Sequence, residues 1–127
     1  AEYEKAYIDN MYRYFGYGMW LVFDKVTGKL IGRAGLEHRE FEEERGIELE
    51  LGYLFAPEYQ HKGYATEVCE QIIAYAKENT QFEELNCYIN SQNIASIKLA
   101  ERLGFIFLGE SKEIGKQMKR YKYILRT

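Results

Sequence analysis

Only two cysteines, Cys69 and Cys87, and two histidines, His38 and His61, occur among the 127 residues. Both cysteines fall on predicted apolar faces, and free cysteine usually behaves as a small apolar residue. We therefore predict two buried free thiols rather than a disulfide or a nucleophile. A metal centre needs three or four clustered ligands, which two isolated histidines do not supply, so the sequence predicts no bound metal.

Long apolar stretches are also missing, since none approaches the roughly 20 residues that a membrane-spanning helix requires. Residues 1–10 lack the basic and then apolar regions of a signal peptide. Neither charge dominates, because 17 lysines and arginines face 20 acidic residues and leave a net charge of −3. These absences favour a cytoplasmic protein with neither a membrane nor a nucleic acid as its partner.

The length of 127 residues is typical of one compact domain, and we predict a single domain over residues 1–127. Apolar spacing predicts that a helix opens the chain, with Tyr3, Tyr7, Met11 and Tyr14 on one face and with Gly16 and Gly18 at its end. Alternating or continuous apolar runs predict six strands. They cover residues 19–23, 30–36, 47–55, 83–90, 105–110 and 119–126.

Two further helices are predicted between these strands, at residues 65–76 and 93–103, the second capped by Asn93 and closed by Gly104. The mostly charged residues 37–45 read as a solvated loop. This order of elements predicts an α/β or α+β fold, with helices on both faces of one sheet.

Residues 50–68 combine an apolar strand, a proline stop, a basic turn with a glycine, and an amphipathic helix. The first N–H groups of a helix have no acceptor within the helix, and the helix dipole makes this end positive. Gly63 has no Cβ to block a close ligand, Ala65 leaves room beside it, and Lys62 adds a mobile cation. The turn therefore predicts a cradle for a pyrophosphate.

These residues resemble a known family. The pattern Q-x-x-G-x-A at residues 60–65 follows A-P-E-Y, and N-x-x-S at residues 93–96 precedes Leu103-Gly104-Phe105. This combination is similar to the GNAT N-acetyltransferases over residues 20–126, in particular to the branch that acetylates ribosomal-protein N-termini. The resemblance implies a mixed, mostly antiparallel sheet that splays between residues 47–55 and 83–90. It also implies acetyl-CoA as co-substrate, with its pantetheine arm in that gap.

The resemblance also implies which residues contact the cofactor. They are Leu54, Phe55, Ala56, Gln60, His61, Lys62, Gly63, Tyr64, Ala65, Thr66, Asn93 and Ser96. A main-chain N–H near Leu54 or Phe55 is expected to polarise the thioester carbonyl, because the family has a β-bulge there. Asn93 is expected to cap its helix first and to contact the cofactor second.

Glu50 is the candidate general base, because it lies ten residues before Gln60, a spacing that resembles that of the catalytic glutamate in histone-acetylating relatives. A free amine is mostly protonated at neutral pH, so a base must remove a proton directly or through water. A carboxylate inside an apolar strand costs free energy unless it is used or paired. Glu48 shares its face, and for both residues the alternative is a solvated strand face. Glu113, in a predicted surface loop, is a more distant candidate.

The departing thiolate poses a separate question. Many family members place a tyrosine seven residues after the motif asparagine, where this chain has Ala100. Ser96 stands where the ribosomal-protein acetyltransferases have a proposed acid, so it could protonate the sulfur or donate a hydrogen bond to it. The alternative is that Ser96 only satisfies a backbone group in the first helical turn. Trp20 and Tyr53 are weighed as pocket residues or as ordinary packing aromatics.

The sequence thus predicts an N-acetyltransferase that acts by direct attack in a ternary complex, with a small-molecule or peptide amine as acceptor. The alternative is a catalytically weak or inactive acyl-CoA-binding regulatory module, motivated by Ala100 and by the shorter N-terminal region than is usual in this branch. That region normally supplies a first strand. Either the chain is a fragment, or a partner chain supplies the missing strand, or the sheet edge is left open, and an open edge invites association into a homodimer.

Overall fold

The computed structural model describes residues 6–14, 17–40, 46–60, 63–113 and 115–126. The strands described there are β1 (Ala6–Tyr14), β2 (Tyr17–Asp24), β3 (Leu30–Glu40), β4 (Ile47–Phe55), β5 (Glu84–Asn90), β6 (Ile106–Glu113) and β7 (Lys116–Ile124). The helices are α1 (Tyr64–Asn79) and α2 (Ile94–Leu103), and a 3-10 turn covers Pro57–Tyr59. All six predicted strands and both later helices are present, with ends shifted by a few residues.

The predicted opening helix is wrong, because residues 6–14 form β1 and pair antiparallel with β2. The register of this pairing shifts between Asp9 and Tyr12. An extra residue at a bulge interrupts the two-residue alternation of a strand, so apolar residues recur three or four apart, as in a helix. The apolar residues of this irregular strand therefore have a spacing that resembles that of a helix.

The predicted loop at residues 37–45 is also wrong in its first part. β3 continues to Glu40 and pairs with β4 in an unbroken register, from Gly32 opposite Phe55 to Glu40 opposite Ile47. Main-chain pairing needs no apolar side chain, so charged residues can extend a strand. Residues 41–45 lie outside the described part of the chain.

The strand order is β1-β2-β3-β4-β5-β7-β6, and every neighbouring pair is antiparallel except β4 and β5. These two run parallel, which requires a crossover, and α1 provides it. They pair only at Glu50 opposite Asn86. The prediction of a mixed, mostly antiparallel sheet that splays between these two strands is confirmed.

A polar network fastens β4 to its neighbours near that single pair. Glu48 is only 8% exposed and accepts hydrogen bonds from Arg120 at 2.7 Å and from the Tyr88 hydroxyl at 2.8 Å. Asn86 donates to the Leu49 carbonyl at 3.4 Å and accepts from Arg120 at 3.4 Å. A buried carboxylate needs such partners, so Glu48 has a structural role. The network holds β4 beside β5 near residues 48–50, and the two strands separate toward the other end of β4.

Both described helices pack on the same face of the sheet. A small cavity of about 10 Å³ lies between them and the splayed strands. Cys69 of α1, Ala100 of α2, Tyr53 of β4 and Cys87 of β5 all line it. Helices on both faces were predicted, and within the described residues this detail is not met. Amphipathic spacing shows that a helix has an apolar side but not which sheet face it covers.

The two thiols are buried and free, as predicted. Burial raises the pKa of the Cys69 thiol and brings the pKa of Cys87 to about 12, so both groups are neutral at neutral pH. No helix within the described ranges is long and apolar enough to cross a membrane.

Candidate active site

The turn between β4 and α1 is held by main-chain and amide contacts. The Gln60 side chain donates to the Phe55 carbonyl at 3.1 Å, and the Ala56 N–H donates to the Ile31 carbonyl at 2.9 Å. Gly63 then caps α1 with a φ of 86°, a left-handed conformation that favours glycine. The sequence therefore places a glycine where the chain must turn sharply into a helix.

The start of α1 points several main-chain N–H groups out of the helix. Its first helical hydrogen bond runs from the Glu67 N–H to the Gly63 carbonyl at 3.2 Å. The N–H groups of residues 64–66 precede this bond and have no acceptor within the helix. Together with the positive end of the helix dipole, they make the turn suitable for an anion. His61 and Lys62, predicted to join this cradle, lie outside the described residues.

A cavity of about 180 Å³ opens between this turn and α2. Its lining includes most of the residues predicted to contact a cofactor. They are Leu54, Phe55, Gln60, Gly63, Ala65, Thr66, Asn93 and Ser96. We call this space the cofactor-side cavity.

Two of the predicted residues do not line the cofactor-side cavity. The hydroxyl of Tyr64 donates to Asp24 at 3.4 Å and its ring packs edge-on against Tyr59, with centroids 5.4 Å apart. Tyr64 therefore points toward β2, away from the cavity. The amide of Ala56 is used in pairing with β3. The motif thus indicated the right segment, but these two residues do not line the cavity, and their contact with a cofactor stays a prediction.

Other lining residues were not predicted as cofactor contacts. They are Tyr53, Tyr59, Ala95, Leu99 and Arg102. A signal for two of them was present in the sequence, because Ser96, Leu99 and Arg102 recur every three residues and so share one face of α2. Arg102 gives this cavity an exposed cation.

The start of α2 faces the same cavity. The Asn93 side chain accepts a hydrogen bond from the Ser96 N–H at 3.1 Å, so the predicted cap is confirmed. Both helices therefore begin at the cofactor-side cavity and direct the positive ends of their dipoles to it. A polyanionic group would be stabilised from both sides.

Tyr53 and Ser96 form a contact across the splay. The Tyr53 hydroxyl donates a hydrogen bond to Ser96 Oγ at 2.9 Å. Burial raises the pKa of Tyr53 to about 12, although the hydrogen bond with Ser96 acts in the opposite direction. The phenol is therefore a neutral donor at neutral pH. Trp20, in contrast, is 7% exposed and packs edge-on against Tyr75 with centroids 4.9 Å apart, as a core residue.

The predicted bulge at Leu54 or Phe55 is absent, since the register between β3 and β4 is unbroken there. The peptide groups still provide a donor. Ala56 donates toward β3, and successive N–H groups of a strand point to opposite edges. The N–H of Phe55 therefore points away from β3, toward the gap beside β5. This is where a developing oxyanion would need a donor.

A second cavity, of about 240 Å³, lies on the other face of β4, and we call it the acceptor-side cavity. Cross-strand pairs of residues on β3 and β4 line this cavity. Gly35 faces Gly52, Glu37 faces Glu50, and Arg33 faces Leu54, with Met19 of β2 beside Gly35. The two glycines leave a floor without side chains, bounded by two half-buried carboxylates at one end and a guanidinium at the other.

The two cavities share Tyr53 and Leu54. They open on opposite faces of the sheet and meet at these two residues of β4. Of the two β4 carboxylates considered as a base, Glu50 lines the acceptor-side cavity, whereas Glu48 is paired with Arg120. The side chain of Glu113 lies outside the described part of the structure. Among the described residues, no group of three or more His, Cys, Asp or Glu could hold a metal ion.

Comparison with known proteins gives a consistent result. A family model described as "Acetyltransferase (GNAT) domain" matches residues 1–106. The uncharacterized protein YkkB of Bacillus subtilis (strain 168) is 32% identical over 105 residues, which cover 83% of this chain and 58% of YkkB. The uncharacterized N-acetyltransferase YjdG of the same strain is 26% identical over 98 residues, which cover 77% of this chain and 56% of YjdG.

Solved structures share the fold. The acetyltransferase from Agrobacterium tumefaciens str. C58 matches with a TM-score of 0.70 and 28% identity, covering 86% of this chain and 61% of that one. The ribosomal-protein-S5-alanine acetyltransferase from Vibrio fischeri matches with a TM-score of 0.74 and 21% identity, covering 86% and 62%. The chain spans less than two thirds of the length of each of these four relatives.

Proposed function

Because the chain belongs to the GNAT acetyltransferase family, we propose that it transfers an acetyl group from acetyl-CoA to a primary amine. The observation that carries the proposal is the meeting of two cavities at Tyr53 and Leu54 of β4. An acyl donor and an acceptor that enter from opposite faces can come into contact there. The reaction then proceeds by direct attack within one ternary complex.

The cofactor-side cavity supplies the features that coenzyme A requires. Its diphosphate would lie against the N–H groups of residues 64–66, beside Gly63, which has no Cβ to hold it away. Arg102 provides an additional cation for a phosphate. The acyl arm would extend into the gap between β4 and β5, where the N–H of Phe55 points.

The acceptor-side cavity supplies the base. An alkylammonium group has a pKa near about 10.4 and is not nucleophilic until it loses a proton. Glu50 is half-buried in this cavity and would accept that proton directly or through one water. The free amine then attacks the thioester carbon, and the oxyanion that forms would be stabilised by the Phe55 N–H.

Direct attack, rather than an acyl-enzyme intermediate, is supported by the state of the thiols. Cys69 and Cys87 are buried, and burial raises the pKa of both groups. Since the thiolate is the nucleophilic form, neither residue is suited to take up the acetyl group.

Two measurements on the same protein test the proposal. Isothermal titration with acetyl-CoA is expected to show saturable binding, and a thiol-release assay over a panel of primary amines is expected to show turnover with at least one amine. Saturable binding without turnover for any amine would favour the alternative, an acyl-CoA-binding regulatory module. No heat and no thermal shift at saturating acetyl-CoA would contradict both.

A further inference from the structure

We propose that Tyr53 is a positioning residue for the acyl-transfer step, because its hydroxyl holds Ser96 so that Ser96 donates a hydrogen bond to the departing sulfur of coenzyme A. This inference rests on the proposed function. Tyr53 and Ser96 would together stabilise the leaving group. They are 43 residues apart in sequence and in direct contact across the splay.

The direction of the hydrogen bond between Tyr53 and Ser96 decides what the serine hydroxyl can do next. Tyr53 donates to Ser96 Oγ at 2.9 Å, so the oxygen of Ser96 acts as an acceptor in this contact. A serine hydroxyl carries one hydrogen of its own, and the contact with Tyr53 leaves that hydrogen available for another acceptor. Ser96 also lines the cofactor-side cavity, where a thioester sulfur would arrive.

Ser96 is held in a fixed position. Its backbone N–H donates to the Asn93 side chain at 3.1 Å, and its hydroxyl accepts from Tyr53. The serine is thus held at two points, by the cap of α2 and by a residue of β4. A donor that is fixed before the reaction needs no reorganisation when charge develops on the sulfur.

The small residue Ala100 lies beside the contact between Tyr53 and Ser96. Ala100 is 4% exposed, and it lines the small cavity under α2 together with Tyr53 and Ser96. Its methyl group leaves space for a larger side chain from the facing strand. Tyr53 lines the same small cavity from β4, so the hydroxyl beside Ser96 comes from the sheet.

The chemistry of the step follows from acidity. Burial raises the pKa of Tyr53 to about 12, whereas an ordinary thiol has a pKa of about 8.5. Full proton transfer from Tyr53 to the thiolate is therefore unfavourable. The N–C bond forms, the C–S bond breaks with its electron pair on sulfur, and the thiolate leaves as an anion that accepts a hydrogen bond from Ser96. Two protons leave the amine nitrogen: Glu50 takes the first before the attack and passes it to solvent, and it takes the second once the N–C bond has formed.

The test compares Tyr53→Phe, Ser96→Ala and the double variant in the thiol-release assay, with acetyl-CoA and the best amine of the panel. We expect Tyr53→Phe to lower kcat about tenfold, as the loss of an indirect contribution to one donor. The KM for acetyl-CoA is expected to stay within about twofold, since the phenol holds a group that acts in the transition state. The pH profile is expected to keep its shape, because Tyr53 transfers no proton.

The double variant separates positioning from a merely structural role. If Tyr53 acts only through Ser96, removing its hydroxyl has no further effect once Ser96 is alanine. Tyr123→Phe is the matched control, because it removes a phenol that packs against the same core, beside Phe105, and lines neither large cavity. This control is expected to keep the wild-type kcat.

Each result of this test supports or overturns the inference. An unchanged kcat in Tyr53→Phe, or multiplicative losses in the double variant, would overturn this inference and leave the proposed function intact. A wild-type chain that fails to bind acetyl-CoA would overturn the proposed function and this inference with it. Thermal unfolding of each variant shows whether it is folded. Should Tyr53→Phe be unfolded, Ser96→Ala alone decides, because an unchanged kcat in that variant would remove the donor that Tyr53 is proposed to hold.

Discussion

The two cavities that meet at β4 are built in different ways. The cofactor-side cavity is formed largely by main-chain groups at the starts of two helices, where Gly63 and Asn93 are the caps. The acceptor-side cavity is formed by side chains of three neighbouring strands, with Glu37 opposite Glu50 above a floor of two glycines. One cavity therefore offers N–H groups that almost any sequence has, and the other offers charges that depend on the residue.

This difference predicts different sensitivities. A main-chain cradle tolerates the loss of a side chain but not an added Cβ at the point of closest approach. A cavity bounded by carboxylates and a guanidinium responds to a change of charge with the backbone left in place. Substitutions on the two sides should consequently alter different kinetic constants.

The largest effect is expected on the acceptor side, at Glu50. Glu50→Gln keeps the size of the side chain and removes its ability to accept a proton. A positioned base contributes typically about 10²- to 10⁴-fold to the rate, so we expect kcat to fall at least about 100-fold at neutral pH. Acetyl-CoA affinity, measured by titration, should be unchanged because Glu50 does not line the cofactor-side cavity.

Raising the pH provides a second readout for this variant. Above the pKa of the amine, free base is present without help from the protein, so the deficit of Glu50→Gln should shrink. Glu84→Gln is the control, because Glu84 pairs with Lys122 at 3.0 Å on the neighbouring strand and lines neither large cavity. Full activity of Glu50→Gln at neutral pH would exclude Glu50 as the base.

The next effect is expected on the cofactor side, at Gly63. Gly63→Val places a branched side chain at the turn, and we expect acetyl-CoA to bind at least about tenfold more weakly, which corresponds to about 1.4 kcal/mol. The φ of 86° also makes the substitution strained, at about 1–2 kcal/mol of folding stability. Isothermal titration and thermal unfolding measure the two effects separately.

Gly28→Val is a matched control for that strain. Gly28 has a φ of 72°, and an added Cβ there meets nothing within 4 Å. It lies in the turn between β2 and β3, outside both cavities. It should lose similar stability and keep full affinity for acetyl-CoA. Equal affinities in Gly63→Val and the wild type would remove the cradle from the proposed site.

The contrast between the cavities also explains how much the sequence could predict. The start of α1 at Gly63 and the cap at Asn93 are local features, in which residue type and spacing decide the backbone conformation. They were recognisable, and so were most strands and the splay between β4 and β5. β1 was not, because its bulge breaks the alternation that identifies a strand.

The acceptor-side cavity was only partly predictable, because it depends on pairing between distant residues. Gly35 and Gly52 are opposite one another only in one register of β3 and β4, and a slip of one residue would place a different set on that face. Contact between Tyr53 and Ser96 likewise requires α2 to pack over β4. Glu50 could be named as a candidate base from the family resemblance and from its place in an apolar strand, but the presence of Glu37 and Arg33 in the same cavity could not be predicted.

The smallest effect is expected at the glycine floor of the acceptor-side cavity, where Gly52 is the counterpart of Gly63. An added Cβ at Gly52 meets nothing within 4 Å, so Gly52→Ala is tolerated by the fold and fills space in the cavity. Alanine in a strand is more stable than glycine by roughly 0.5–1 kcal/mol, so the melting temperature should rise slightly. We expect the KM for branched or bulky amines to increase about fivefold, equivalent to about 1 kcal/mol, while the smallest amines keep their KM.

Acetyl-CoA affinity is the internal control and should not change. An equal KM for all amines in Gly52→Ala and the wild type would mean that the acceptor does not lie over this floor, and the assignment of the two cavities would then have to be revised on the acceptor side alone.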